Sequence, residues 1–504
     1  MGIRLKRAKL NILVSLLCQA VTLICGLIVP RLMIGAFGSE IYGATASIAQ
    51  FLAYITLLEG GVGGVARAAL YGPLANNNSQ AINEIVSEIK RFFRIIAYIY
   101  GVYVIVLACS FKSISNIQVL DWLTTCILVV VISISTFAQY FIGVSYSILL
   151  QASQKTYVSQ WISLIGTVVN TILVVILVNS NCDIIIVKLA SSIVFVLRPI
   201  ALWLYVKKNY HLVHCGKGNT VYLKQKYTGL GQHLAYFLHS NTDIMVLTWF
   251  ANLTSVAIYS VYNMVISQIQ HITSSFSTGM EALFGDMLAK KEYNVLAKTF
   301  GYYETLISIV SLVLFSCTSA LIVPFVKLYT AGVADADYVA PIFAILLIVS
   351  ALLYCLRMPY HSMTVAAGHF KETKWAAYGE AIINIAISIV LVNKLGLVGV
   401  AIGTIVATLF RFVYYVIYLS KNIFYRKLSL FFKRIAVNSV TFITISIFAG
   451  CVINTINIAN YGIWLVCGLG VGLLSVVVTF GLNLLFYRSD FKAVISRLKK
   501  QRAR

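Results

Sequence analysis

Stretches of about 20 predominantly apolar residues, the length that carries one helix across a hydrocarbon core, recur along this chain with only short polar or basic connections between them. They fall at roughly 11–35, 42–70, 92–111, 122–151, 157–179, 184–206, 229–250, 256–284, 300–326, 338–366, 375–394, 397–420, 435–455 and 462–487. The pattern predicts an all-α polytopic membrane protein of about fourteen transmembrane helices. Composition agrees: 60% of residues are hydrophobic, 11% are charged, and mean hydropathy is +0.88, values outside the range of soluble globular domains. The ten cysteines lie mostly inside apolar runs at irregular spacings, which suits packing better than a disulfide framework or a metal site. The opening MGIRLKRAKL runs into a long apolar stretch without an A-x-A-type cleavage site, so it reads as a retained first span.

The lysines and arginines test the span count, because a wrong number would scramble the alternation of charged connections. Of the 39 bases, 30 fall on one side: the N-terminus, the segments around Lys90 and Lys155, the 207–228 connection, Lys290 to Lys298, Lys371 and Lys374, the 421–434 connection and the tail. The opposite side has only Lys112, Lys327 and Lys394. Both termini are thus predicted to be cytoplasmic. The net charge of +23 is accounted for by these connections, so no basic nucleic-acid-binding domain is implied. Outer connections are short, the longest being 112–121 and 328–337, which argues against an external catalytic domain. No P-loop, paired metal-ligand motif or nucleophile elbow occurs.

The chain also repeats itself. IYGATASIAQ (41–50) answers IYSVYNMVIS (258–267), ALYGPLA (69–75) answers ALFGDMLA (282–289), and GTVVNTILVVILV (166–178) answers EAIINIAISIVLV (380–392), which sets Asn170 opposite Asn384. Two six-helix halves of like orientation are expected, at 1–206 and 229–420. A basic cytoplasmic linker at 207–228 would join them, and two added helices with a basic tail would occupy 421–504.

A charge at the centre of a membrane helix costs about 2.5–3.5 kcal/mol, so six bases inside spans call for a reason: Arg31, Arg67, Lys188, Arg198, Arg357 and Arg411. Arg31 and Lys188 lie near outer ends and can snorkel. Arg67, Arg198, Arg357 and Arg411 are the candidates for a cationic substrate site, since arginine's fork matches a phosphate bidentately. Their alternative role is to staple helices through ion pairs. Glu59, Asp243 and His361 are candidates for gating or for H+ or Na+ coupling, whereas Glu281, Glu304 and Glu380 fall nearer the cytoplasmic ends. In an unbroken helix Glu59 and Arg67 would share a broad face, about 12 Å apart along the axis. Gly60, Gly61, Gly63 and Gly64 between them would let that span bend or approach a neighbour closely. No cofactor is indicated.

Several stretches carry a resemblance. PRLMIGAFGSEIYGATASIAQFLAYITLLEGGVGGVARAALYGPLA, GLGQHLAYFLHSNTDIMVL and MTVAAGHFKETKWAAYGEAIINIAISIVLVNKLGLVGVAIGT resemble bacterial polysaccharide-biosynthesis flippases, the O-antigen and capsule repeat-unit translocases of the multidrug/oligosaccharidyl-lipid/polysaccharide exporter superfamily, over about residues 10–420. The resemblance implies a non-enzymatic flippase of the bacterial plasma membrane. Its cargo would be a polyprenyl-pyrophosphate-linked oligosaccharide, passed from the glycosyltransferases that build it towards a polysaccharide polymerase. Arg67, Arg198, Arg357 and Arg411 would then contact the pyrophosphate, with Tyr42, Asn170, Tyr360 and Asn384 near the sugars or in interhelical hydrogen bonds. Two rival readings stay open: an ion-coupled multidrug or cation antiporter of the same superfamily, which would favour an acidic site, and a membrane glycan polymerase or ligase, which would need an outer catalytic loop.

Overall fold

The computed structural model describes residues 2–59, 62–76, 78–210, 230–277, 280–424 and 427–487, which are helical apart from turns and short connections. The linker from 211 to 228 and the tail beyond 487 lie outside the described residues. The chain forms two compact units, Met1–Phe237 with Asn252–Ala257, and Leu238–Ala251 with Ile258–Arg504.

The first unit begins with α1 (Gly2–Ala53). A straight helix of that length would run about 78 Å, more than twice the hydrocarbon thickness. It is broken at Gly38, whose φ of 83° and ψ of 168° lie in a region essentially reserved for glycine. The first two predicted spans therefore separate there. The second of them is irregular: a tight 3-10 segment (Tyr54–Glu59) precedes α2 (Val62–Ala75). Next come α3 (Ser79–Ser115), α4 (Trp122–Ala138), a single π-helical turn (Gln139–Gly143), α5 (Val144–Ala152), α6 (Thr156–Asn179) and α7 (Ile184–Asn209). Several starts are capped by a side chain. Asn78 accepts from the Ala81 amide, Asp121 from Thr124 and Asp183 from Ile185, each satisfying a donor that the first turn leaves unpaired.

The remaining helices are α8 (Leu230–Phe250), α9 (Leu253–Ser275), α10 (Met280–Ala289), α11 (Tyr293–Tyr329), α12 (Pro341–Ala366), α13 (Phe370–Leu395), α14 (Leu397–Asn422), α15 (Leu428–Thr455) and α16 (Tyr461–Phe486). Only Gly396, at φ 53°, separates α13 from α14. Among the described residues, 11 helical stretches are long and apolar enough to cross a membrane. Leu13–Glu59 counts once among them although Gly38 divides it, and α8 and α9 are not included. Adding these three returns the fourteen crossings expected from hydropathy.

Element lengths echo the sequence repeat. Both α3 and α11 have 37 residues, and both α7 and α14 have 26. The predicted single span 256–284 is instead two pieces, α9 and α10, just as the predicted 42–70 is divided before α2.

Packing follows membrane rather than aqueous rules. On α16, Ser475 and Thr479 are fully buried, whereas Leu469, Leu473 and Leu485 are 69–77% exposed. In lipid the apolar side chains face outward at no cost, and the small polar ones turn towards neighbouring helices. α15 and α16 dock on α11 in this way: Ser319 Oγ lies 2.7 Å from Ser446 Oγ, and the Trp464 indole donates to the Leu321 carbonyl at 3.0 Å.

Candidate functional site: buried ionic centres within the two units

Three of the predicted charged residues of the second unit, with two carboxylates whose depth sequence underestimated, form three buried centres. In the first, Arg357 on α12 and Arg411 on α14 each donate an Nη1 hydrogen to a different oxygen of Glu380 on α13. Glu380 is wholly buried, and both arginines are 4% exposed. Arg411 also donates through Nε and Nη2 to the Tyr415 hydroxyl, at 3.2 and 2.9 Å. His361 completes the group, its Nδ1 3.5 Å from that hydroxyl and its ring stacked on Tyr415. Two guanidiniums against one carboxylate give the triad a formal charge of +1. Both arginines are thus already engaged by protein, the stapling alternative weighed for them above.

The second centre surrounds Asp243 on α8, 5% exposed. Tyr259 donates to Oδ2 at 3.0 Å, and Asn384 Nδ2 lies 3.4 Å from Oδ1. Thr404 Oγ1 is 3.1 Å from Oδ1, 3.0 Å from Oδ2 and 3.0 Å from the Val400 carbonyl. Ser388 Oγ lies 3.0 Å from Asn384 Oδ1. A hydroxyl has one hydrogen, so Thr404 can satisfy only one of its three oxygen neighbours. The cluster is therefore rich in hard oxygen donors around a single negative charge, the ligand chemistry of a small hard cation. The residues fit a monovalent cation or a proton; among the described residues no group of three His, Cys, Asp or Glu side chains suits a transition metal.

In the third centre Glu304 on α11, 3% exposed, pairs with Arg434 of α15 at 2.9 Å and accepts from the Tyr360 hydroxyl of α12. Sequence grouped Arg434 with a cytoplasmic connection; it belongs instead to the second turn of α15. Glu304 and Glu380 were underestimated because α11 and α13 begin several residues before their apolar stretches, so both carboxylates sit well inside the helices. Tyr360, a candidate sugar contact, serves this centre.

In the first unit the predicted residues are dispersed. Glu59 ends the 3-10 segment and accepts from Tyr140, the second residue of the π-helical turn. Arg67, exposed on α2, donates to Gln151 Oε1 at 2.8 Å. Glu59 belongs to a 3-10 segment and Arg67 to α2, so the two do not share one α-helical face, correcting the geometry expected of an unbroken span. Gly63 and Gly64 have open space where a Cβ would be, so neither serves close packing; Gly60 and Gly61 lie outside the described residues. Arg198 of α7 donates from Nη2 to Thr167 Oγ1 at 2.8 Å, lies 4.2 Å from the centre of the Phe195 ring, and leaves its buried Nε without a hydrogen-bond partner. Separately, a cavity of about 710 Å³ in the second unit, lined by Leu288, Asn294, Ala366, His369 and Phe424 among others, contains none of the predicted site residues.

Solved structures share this arrangement of paired and broken helices. No family model matches the sequence, and no curated relative matches it. The fold is similar to the lipid II flippase MurJ in an inward closed conformation, with a TM-score of 0.71 and 15% identity over 95% of this chain and 99% of that one. It is also similar to an inward-facing multidrug resistance MATE family transporter of the MOP superfamily (TM-score 0.61, 15% identity, 79% and 94% covered). A third likeness is to the eukaryotic MATE transporter AtDTX14 (TM-score 0.59, 13% identity, 83% and 96% covered). This chain is a multi-pass membrane protein whose fold is like that of these structures.

Proposed function

We propose that the protein is a flippase that moves polyprenyl-pyrophosphate-linked oligosaccharide repeat units from the cytoplasmic to the outer leaflet of the bacterial plasma membrane, by alternating access, for surface-polysaccharide assembly. The observation that carries this reading is a local excess of guanidinium at two places inside the spanning helices. Arg357 and Arg411 share one carboxylate, and Arg198 has none among the described residues. A guanidinium surplus in a low dielectric favours an anionic cargo over a cationic one. Pyrophosphate is the anion that a lipid-linked glycan presents. Likeness of fold to a lipid II flippase along 95% of the chain supports a lipid-linked cargo; O-antigen or capsule as the polymer, with glycosyltransferases and a polymerase acting before and after, follows from the sequence resemblance alone.

The Asp243 centre supplies the coupling in this reading. Asp243, Tyr259, Asn384, Val400 and Thr404 come from α8, α9, α13 and α14, so binding or loss of H+ or Na+ there changes how four helices are held together. A cation drives a conformational cycle only if it binds one state better than the other.

The test is ligand-induced thermal stabilisation of the purified protein. A polyprenyl-pyrophosphate oligosaccharide is expected to stabilise it, and a lipophilic cation is not. Stabilisation by the cation alone would overturn the reading in favour of an antiporter.

A further inference from the structure

The two halves can be set against each other residue by residue. On α7 and α14, Val187, Arg198, Tyr205, Lys208 and Asn209 correspond to Val400, Arg411, Tyr418, Lys421 and Asn422 at one constant shift. On α6 and α13, Trp161, Asn170 and Asn179 match Trp375, Asn384 and Asn393 at nearly the same shift. Contacts follow this register as well: Lys90 lies 4.6 Å from the Tyr146 ring centre, and the corresponding Glu304 binds the corresponding Tyr360.

In this register Arg198 is the counterpart of Arg411, but Glu380 becomes Gly166, Arg357 becomes Gly143 and Glu304 becomes Lys90. The first unit keeps one arginine of the triad and carries no carboxylate at either counterpart position. Gly166 is the contact surface for Arg198: a Cβ there would meet Arg198 Nε at 2.5 Å. Thr167 holds Nη2, the Phe195 ring lies beside the guanidinium, and Nε has no partner. Arg198 lies ten residues before Lys208 and fourteen after Ile184, about 15 and 21 Å along α7 at 1.5 Å per residue. That is mid-membrane, beyond the normal reach of resting phospholipid headgroups.

We propose that Arg198, seated on Gly166 and held by Thr167, binds a phosphate oxyanion of the lipid in transit, which supplies the negative charge that Glu380 supplies to Arg411. Glycine at position 166 is the determinant, because any carboxylate there would neutralise the arginine internally. This inference rests on the flippase reading for the identity of the lipid, but not for the anion site itself.

The experiment uses the full-length protein with Gly166→Glu, Arg198→Gln and Arg198→Lys, and reads two quantities. The first is equilibrium binding of a short-chain polyprenyl pyrophosphate in detergent, with phosphatidylglycerol and phosphatidylcholine as competitors. The second is flipping of a labelled polyprenyl-pyrophosphate oligosaccharide in proteoliposomes. Gly166→Glu requires the Arg198 side chain to move aside and pair with the new carboxylate, so its folding is checked by its unfolding midpoint, and Arg198→Gln tests the same site without adding bulk. Gly166→Glu should bind pyrophosphate about ten- to a hundredfold more weakly, as expected on losing a charge-assisted hydrogen bond. Arg198→Gln should match it, and Arg198→Lys should fall between. Parent-like pyrophosphate affinity in folded Gly166→Glu and Arg198→Gln overturns the proposal whether or not the parent flips. Displacement by phosphatidylglycerol as readily as by pyrophosphate overturns it in favour of a resting lipid. Arg198-dependent pyrophosphate binding without flipping by the parent would keep the anion site and reject the flippase reading.

Discussion

Glu380→Gln isolates the central triad with almost no change of shape. The carboxylate accepts one guanidinium hydrogen on each oxygen; glutamine keeps one acceptor and turns an NH2 towards the other arginine. The formal charge of a fully buried group of three rises from +1 to +2. At an effective dielectric of about 20, two unit charges about 4 Å apart attract by about 4 kcal/mol. Glu380 makes two such contacts, so the gross loss is about 8 kcal/mol, offset by the carboxylate's own desolvation and by the existing repulsion between the arginines. The remainder is about 3–5 kcal/mol, the range for removing one partner of a buried pair. The assay is the thermal or denaturant midpoint of the monodisperse protein in mild detergent. The triple variant Arg357→Met, Glu380→Leu, Arg411→Met should recover most of that loss, because it leaves no charge unpaired. Glu380→Gln within about 1 kcal/mol of the parent, which is what an exposed ion pair would give, would refute the argument. Transport by a stable triple variant would assign Arg357 and Arg411 to structure alone.

Asp243→Asn should abolish any dependence of transport on a Na+ or H+ gradient while leaving the protein folded; gradient-driven uptake into proteoliposomes measures this, and unchanged dependence would remove Asp243 from the coupling role. Gly38→Ala should destabilise the turn between the first two spans by about 1–3 kcal/mol, the cost of a side chain in that backbone region, read as a lower unfolding midpoint. Arg434→Met should leave Glu304 buried with its charge uncompensated and loosen α15 from α11, exposing that interface to proteolysis or hydrogen exchange; Arg434→Met with Glu304→Gln should restore protection.

Spans and duplication were legible in the sequence because they depend on local quantities: runs of apolar residues, alternation of bases, and a repeated string such as IYGATASIAQ against IYSVYNMVIS. The ionic centres were only half legible. Arg357, Arg411 and Asp243 stood out as charges in apolar runs, but nothing local says that Arg411 meets a glutamate 31 positions earlier or that Arg434 meets one 130 positions earlier. Pairing depends on which helix faces are turned towards each other. The irregular elements were hidden for a related reason. The 3-10 segment at Tyr54–Glu59 and the π-helical turn at Gln139–Gly143 have the same hydropathy as the α-helices around them, and only their hydrogen-bonding differs. Gly38 falls in the gap that hydropathy leaves between the first two spans, but as one glycine among 32 it gave no sign of its backbone conformation.

The claim that joins fold to function is that arginines left with less than one carboxylate each inside the spanning helices, Arg198 above all, carry an anionic lipid-linked glycan. Leaflet exposure of a labelled polyprenyl-pyrophosphate oligosaccharide in proteoliposomes measures it most directly, with Arg198→Gln and a lipophilic-cation competitor as comparisons. The account predicts protein-dependent appearance of the sugar on the far leaflet, insensitive to the cation and strongly reduced by Arg198→Gln. No exposure for any anionic glycan lipid, together with transport of the lipophilic cation by the same folded preparation, would contradict it.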